Sequence, residues 1–573
     1  MPIRRAILLL PAWLAPTLVA WLALSAAVAA AEVPAPTPKA IRSDLGQGAP
    51  EPAPSPFGFL GPRRIDGLKA GVAGAGAGLL LWGAALARAG RPGAARRPRD
   101  AVLAALGLLA LACWWNLGRF HFDHHAHRSD SYVHFLGARY FHELGYDLLY
   151  HCTAVAEAEA GRADRIAGRG MRDLRRNELV RAAAALADRE ACKRHFSPER
   201  WSAFRRDVEW FRGHMPPGQW LRAQMDHGYN ATPAWGILGI PLAGAGPASE
   251  SRLRALALID PLFLAIAWGA LAWAFGWRAT CVAALFWGTN PFAHFGWVGG
   301  GLLRQDWLLA TVLSLCLLRR QRPAAAGFAL AVAGLLRVFP ALLFAGLGLL
   351  AATAMLRERS LRPPGWALRA GAGAALAVAL LVPLSVAVAG AGAWPEFAVK
   401  LRVHRDTPLQ NAMGLAVLLA HDPAASADDL YHPGAGDPFG RWKQARRAAF
   451  ESRRPLFYAL LVGFGLLFAR AVDRRSPWEA AALGVGWIPM ATAPTCYYYS
   501  VLLCLGPLWL RRQGIGVGLS ALSAAGWLFA SRWHATDEVF ALSSAAVLAF
   551  VLYATAALAR GDPSPAAPPL RPG

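Results

Sequence analysis

The run His121–Phe135, HFDHHAHRSDSYVHF, puts two aspartates, five histidines and an arginine just after an apolar stretch that ends in CWWNLGRF. Carboxylates in such a run suit general-base work, since a base needs only reach to a substrate hydroxyl. Asp130 is the first candidate for that role and Asp123 the second. A metal reading stands beside it. His124, His127 and Asp130 share a helical face, and imidazole with carboxylate suits a divalent zinc or manganese ion. No H-E-x-x-H motif accompanies them, so a divalent metal is the minor reading; a solvated, pH-responsive stretch is the plain alternative.

Five further sets hold chemistry-bearing residues in an otherwise apolar chain. WLRAQMDHGYNATPAW, 220–235, contains Asp226, His227, Tyr229 and Asn230, which either meet substrate or leave Asp226 capping a turn and Asn230 capping the following helix. WVGGGLLRQDW, 297–307, follows three glycines with Arg304 and Asp306, either a structural pair or a site where Arg304 holds a phosphate. LLRVFP, 335–340, isolates Arg337 among apolar neighbours, where it needs a carboxylate or a lipid phosphate. KLRVHRDTPLQN, 400–411, brings His404 and Arg405 as an anion-binding candidate. PTCYYYS, 494–500, has three tyrosines, Tyr498 in the middle, that form either an aromatic belt or a platform on which a sugar stacks.

The elements that must carry these residues are membrane helices. The 573 residues are 55% hydrophobic and only 17% charged, and many apolar stretches approach the length that crosses a bilayer. A net charge of +23 invites a nucleic-acid reading, but the arginines cluster in short loops between apolar stretches, which is the positive-inside pattern. Nucleic acid is therefore excluded as a partner. Placing the clusters at 88–99, 319–322, 357–362, 470–475 and 511–512 in the cytoplasm predicts thirteen spans between 67 and 559.

Residues 1–31 read as a signal peptide or a first span, and 32–66 as a periplasmic Pro-rich linker. Two spans occupy 67–118. A helical periplasmic cap follows at 119–254, holding the candidate catalytic loop and a re-entrant segment. Spans resume over 255–390, with an outward turn at 298–304 and a hairpin at 324–356 broken at Pro340. A periplasmic loop covers 391–454, further spans fill 455–559, and 560–573 reads as a disordered cytoplasmic tail. Ser197-Pro198-Glu199 reads as a helix start, with Trp201, Phe204, Val208 and Phe211 as its apolar stripe. Cys152 and Cys192 alone fall in the cap, and either join as a disulfide in an oxidising periplasm or stay as two buried thiols.

An acidic residue after an early span, a large first external loop, the broken Arg337-Val338-Phe339-Pro340 hairpin and an outward tyrosine cluster resemble polyprenol-phosphate-dependent GT-C glycosyltransferases. The likeness is to the bacterial GT87, mannosyltransferase-type group. It rests on Asp130 through Tyr150 (DSYVHFLGARYFHELGYDLLY) and on Arg337 to Pro340, within residues 100–400. The chain departs from the pattern in its long charged cap, 151–225, and its histidine-rich approach to Asp130. The resemblance implies an all-α polytopic bundle of about 13–14 transmembrane helices in a bacterial inner membrane, active on the periplasmic face. It further implies a polyprenyl-phosphate sugar donor among the membrane lipids, a saccharide, lipid or protein acceptor, and inverting transfer. An aspartate would be the base, and Arg304, Arg337 or Arg405 would face the leaving phosphate. A lipid-linked saccharide flippase and a cell-envelope polymer ligase are the alternatives.

Overall fold

The computed structural model describes residues 61–122, 124–533 and 536–561. The candidate leader 1–31, most of the linker, most of the tail and the second candidate base, Asp123, lie outside the described residues.

Regular structure is almost entirely helical. Helix α1 (Pro62–Arg88), the first among the described residues, has proline at its first turn, so the span expected from 67 starts five residues earlier. Helix α2 (Arg96–Trp114) leads to the polar run, which forms α3 (Arg128–Arg139). In the cap, strands β1 (Gly170–Asp173) and β2 (Glu178–Arg181) pair antiparallel before α4 (Pro198–His214). Helices α5 (Pro233–Gly244), α6 (Glu250–Phe275), α7 (Trp277–Thr289), α8 (Asp306–Arg319), α9 (Pro323–Leu336), α10 (Phe339–Glu358) and α11 (Gly365–Ala389) follow. Helix α12 (Ala393–Arg405) lies beyond them. Helices α13 (Arg454–Val472), α14 (Gln513–Arg532) and α15 (Thr536–Ala559) complete the set.

Seven of these, α1, α6, α10, α11, α13, α14 and α15, are long and apolar enough to cross a membrane. Of the other expected spans, α2 has 19 residues but begins among Arg96, Arg97, Arg99 and Asp100, and the rest are shorter or broken. Helix α7 has 13 residues, and α8 and α9 have 14 each. The stretch expected at 479–496 divides into Pro477–Gly484 and Trp487–Ala491, and a 3-10 helix covers Cys496–Leu510. Prolines 489 and 507 remove the amide donors that a continuous α-helix needs there. Between α9 and α10 the chain is extended at Arg337 and then tightens into a 3-10 turn over Phe339–Leu343.

The helical reading of the cap needs one correction, the β1–β2 hairpin, which turns through Asn177 at φ 59°. The rest of the cap is helical. Ser197 accepts the Arg200 amide and starts α4 at Pro198, whose Trp201, Phe204, Val208 and Phe211 are buried. A disulfide joins Cys152 to Cys192, with the Cα atoms 5.4 Å apart. It ties the helix Leu149–Glu157 to the short turn Glu190–Lys193.

Close helix crossings link the bundle to the polar run. A Cβ on Gly327 of α9 would fall 1.9 Å from the Ala370 carbonyl oxygen of α11, and one on Gly373 would fall 1.9 Å from that of Ala324. Small residues let these two backbones touch. Helix α11 also packs on α5, and α5 on α3, which carries Asp130.

Candidate functional site

The polar run is fixed from below by the glycine turn. The Gly300 carbonyl, at φ +72°, accepts the His127 amide at 2.8 Å, and a Cβ at Gly300 would strike the His125 carbonyl oxygen at 2.2 Å. His127 then caps α3: its Nδ1 accepts the Asp130 amide at 3.2 Å, and its Nε2 lies 3.1 Å from the Gly296 carbonyl. That pair of bonds requires the neutral ring with its proton on Nε2. On the other side of the turn, Asp260 of α6 accepts the amides of Arg304 at 3.0 Å and Gln305 at 3.1 Å. The Trp235 indole of α5 donates to the Leu303 carbonyl at 3.1 Å. Two helices therefore hold the backbone on which Arg304 stands.

Asp130, His134 and Arg304 meet as a buried triad. Arg304 Nη1 donates to His134 Nε2 at 3.2 Å, and Arg304 Nε stands 3.6 Å from Asp130 Oδ1. His134 Nδ1 lies 3.2 Å from both the Oδ1 atom and the backbone carbonyl of Asp130. The imidazole thus donates to the carboxylate through Nδ1–H and accepts from the guanidinium. The Arg304 guanidinium also sits 5.3 Å over the Tyr497 ring. Asp130 Oδ2 is buried and receives no hydrogen bond among the described residues. Gly301 leaves the room for it, since a Cβ there would lie 2.4 Å from Oδ2.

Electrostatics keep Asp130 ionised. Burial works against its charge, yet Arg304, His134 and His127 together hold its carboxyl well below the usual carboxylate range. Burial and neighbouring cations push the histidines the other way. His127 is lowered by burial, which outweighs the pull of Asp130, and His121 falls to about 3. His404 falls to about 4 through burial and the nearby Lys400. His227 is also held far below its ordinary value by burial and Arg172. These rings are neutral at pH 7.

The triad borders a cavity of about 270 Å³ between α3, the 219–230 segment, the glycine turn, the end of α12 and Tyr497. No family model, curated protein or solved structure matches the chain.

The cavity brings together Asp130, Arg304, Asp226, His227 and His404 from four separate stretches of sequence. His227 Nδ1 pairs with Asn177 Oδ1 at 2.8 Å, and its ring lies 5.5 Å from that of His404. The other candidates lie elsewhere. Asp306 is buried beside the triad, its Oδ1 accepting the Trp307 amide at 2.7 Å. Arg337 is buried and donates to the Leu336 carbonyl at 2.8 Å, and its charge acts on Asp306. Tyr498 packs against Phe339, with ring centroids 4.9 Å apart, while its neighbour Tyr497 faces the cavity. Arg405 points to solvent and pairs with Asp406 at 2.9 Å. Asn230 lines the cavity, and Thr232 rather than Asn230 caps α5.

Sequence reasoning assigned no role to His134, Arg222 or Asn411, all of which border the cavity. Spacing gave a signal for His134 alone, one helical turn from Asp130. Among the described residues no three histidine, cysteine or acidic side chains converge as metal ligands; the histidines at 121–127 instead pack on one another and on the 295–300 backbone.

Proposed function

We propose that this chain is a membrane glycosyltransferase that moves a sugar from a polyprenyl-phosphate donor to an acceptor hydroxyl, with inversion, on the periplasmic face of a bacterial inner membrane. The observation that carries the reading is the asymmetry of Asp130. One oxygen is held by His134 and Arg304, and the other is buried without a donor among the described residues, on a side chain that lines a polar cavity.

That free oxygen accepts the proton of the acceptor hydroxyl. The hydroxyl oxygen attacks the anomeric carbon, the bond from that carbon to the phosphate oxygen breaks, and polyprenyl phosphate leaves as an anion. Arg304, on the rim of the same cavity, meets the developing charge. A carboxylate held as low as Asp130 is a weak base in the empty site. A donor phosphate that draws the Arg304 guanidinium to itself removes the main counter-charge from Asp130 and raises its proton affinity. The base is thus armed by donor binding.

The topology kept with this reading counts the short helices as spans. Helix α8 has 14 residues, about 21 Å at 1.5 Å per residue, and falls short of a bilayer core of about 30 Å. The irregular backbone 299–305 leading into it is wholly buried in protein, the setting in which non-helical chain is tolerated at membrane depth.

The test is transfer by the purified full chain from a panel of polyprenyl-phosphate hexoses. Asp130→Asn is expected to lose turnover while remaining folded by size exclusion and still binding the donor. Inactivity of the wild type with every donor, or full turnover in Asp130→Asn, overturns the reading. Movement of a lipid-linked sugar across vesicles without transfer would favour a flippase.

A further inference from the structure

A second cavity, of about 310 Å³, opens where α1 ends and α2 begins. Helix α2, 19 residues and about 28 Å long, carries the cavity's wall on its first turns and leads to the polar run from its other end. One wall is apolar: Leu79 and Leu80 of α1, Leu103 of α2 and Trp509. The other carries Arg96, Arg99, Asp100 and Arg278.

The charges do not cancel. Arg278 grips Asp100 in a two-bond fork, with Nε at 2.7 Å and Nη2 at 2.6 Å. Arg96 only approaches the same carboxylate, at 3.9 Å. Arg99 donates one bond, to the Pro92 carbonyl at 2.6 Å, and its Nε is buried without an acceptor among the described residues. Three arginines against one aspartate leave two positive charges in the groove. The guanidinium of Arg99 lies across Gly83, where a Cβ would come within 3.0 Å of its Nη1. Outside the groove, Trp82, Val102 and Leu108 are exposed apolar side chains on the same two helices. The wall thus runs on into a surface suited to acyl chains.

We propose that this groove binds the phosphate headgroup of an anionic membrane lipid, with Arg96 and Arg99 on the phosphate and an acyl chain along Leu79, Leu80 and Leu103. Guanidinium forks match phosphate oxygens, and a basic pocket between helices at the membrane surface supplies both the charge and the apolar floor. The site stands apart from the Asp130 cavity and does not depend on what that cavity does.

The full-length chain, purified in detergent, is titrated by native mass spectrometry with phosphatidylglycerol, phosphatidylcholine and inorganic phosphate. Wild-type protein is expected to retain one phosphatidylglycerol in preference to phosphatidylcholine. Arg96→Ala/Arg99→Ala is expected to bind it about thirty-fold more weakly. Gly83→Leu keeps every charge but fills the groove and displaces Arg99, and is expected to lose the lipid as well. Arg357→Ala, which removes an arginine paired with Asp473 on another helix, is expected to behave as wild type. Equal retention by wild type and both groove variants overturns the proposal, as does equal binding of the two lipids. Displacement of phosphatidylglycerol by inorganic phosphate would reduce the site to a free-anion site and overturn the lipid assignment.

Discussion

Asp130 keeps a charge inside the protein because Arg304 and His134 surround one of its oxygens. Its carboxyl is depressed in the folded chain, so its stabilisation is fully present above the unfolded aspartate value of about 4 and fades as pH falls below it. Asp130→Asn strands the buried Arg304, at a cost of about 3–5 kcal/mol. The melting-temperature gap between wild type and variant should therefore be constant from pH 5 to 8 and narrow below about 4. A gap that widens in acid would refute the pairing. Gly301→Ala tests the geometry without touching charge: its methyl would meet both Asp130 Oδ2 and Arg304 Cγ, at 2.4 and 2.7 Å. It should cost about 1–3 kcal/mol of thermal stability. Asp130 and Arg304 were legible in the sequence because a charge at an apolar boundary stands out. The triad they form with His134 was not: Arg304 and His134 lie 170 residues apart, and no local period reports such a contact. Arg405 misled for the opposite reason, since a basic cluster looks the same whether it lines a cavity or faces water.

Elements announced by local chemistry were readable. Ser197-Pro198 started α4 where its cap geometry places it. The β1–β2 hairpin went unread because each strand has four residues, too few to show alternation against the arginines around them. The expected 479–496 span was overestimated where Pro489 sits inside an apolar run, and the stretch holding Pro507 is a 3-10 rather than an α-helix, since hydropathy does not register a missing amide. The crossing of α9 and α11 makes a prediction at this scale. Gly373→Leu cannot fit where a Cβ already lies 1.9 Å from the Ala324 carbonyl. It should push α11 off α9 and disturb α5 and α3 behind it. Limited proteolysis should then cut the α3–α5 region faster than in wild type; an unchanged digest would show that the two helix pairs are mechanically independent.

Taken whole, the molecule has two polar ends joined by apolar helices, and its orientation can be tested without any substrate. Leu361 and Arg405 are both solvent-facing and lie on either side of α11. In intact cells an impermeant maleimide should label Arg405→Cys, and Leu361→Cys only after permeabilisation. Labelling of both from one side would remove α11 as a span. The cavity also has a consequence for biosynthesis. Its first contributor is His127 and its last is Tyr497, so the site cannot close until residue 497 has been made. A nascent or truncated chain carries Asp130 without the later residues that line its cavity. Two halves separated within the exposed 432–437 turn, coexpressed, should rebuild the cavity only when both are inserted.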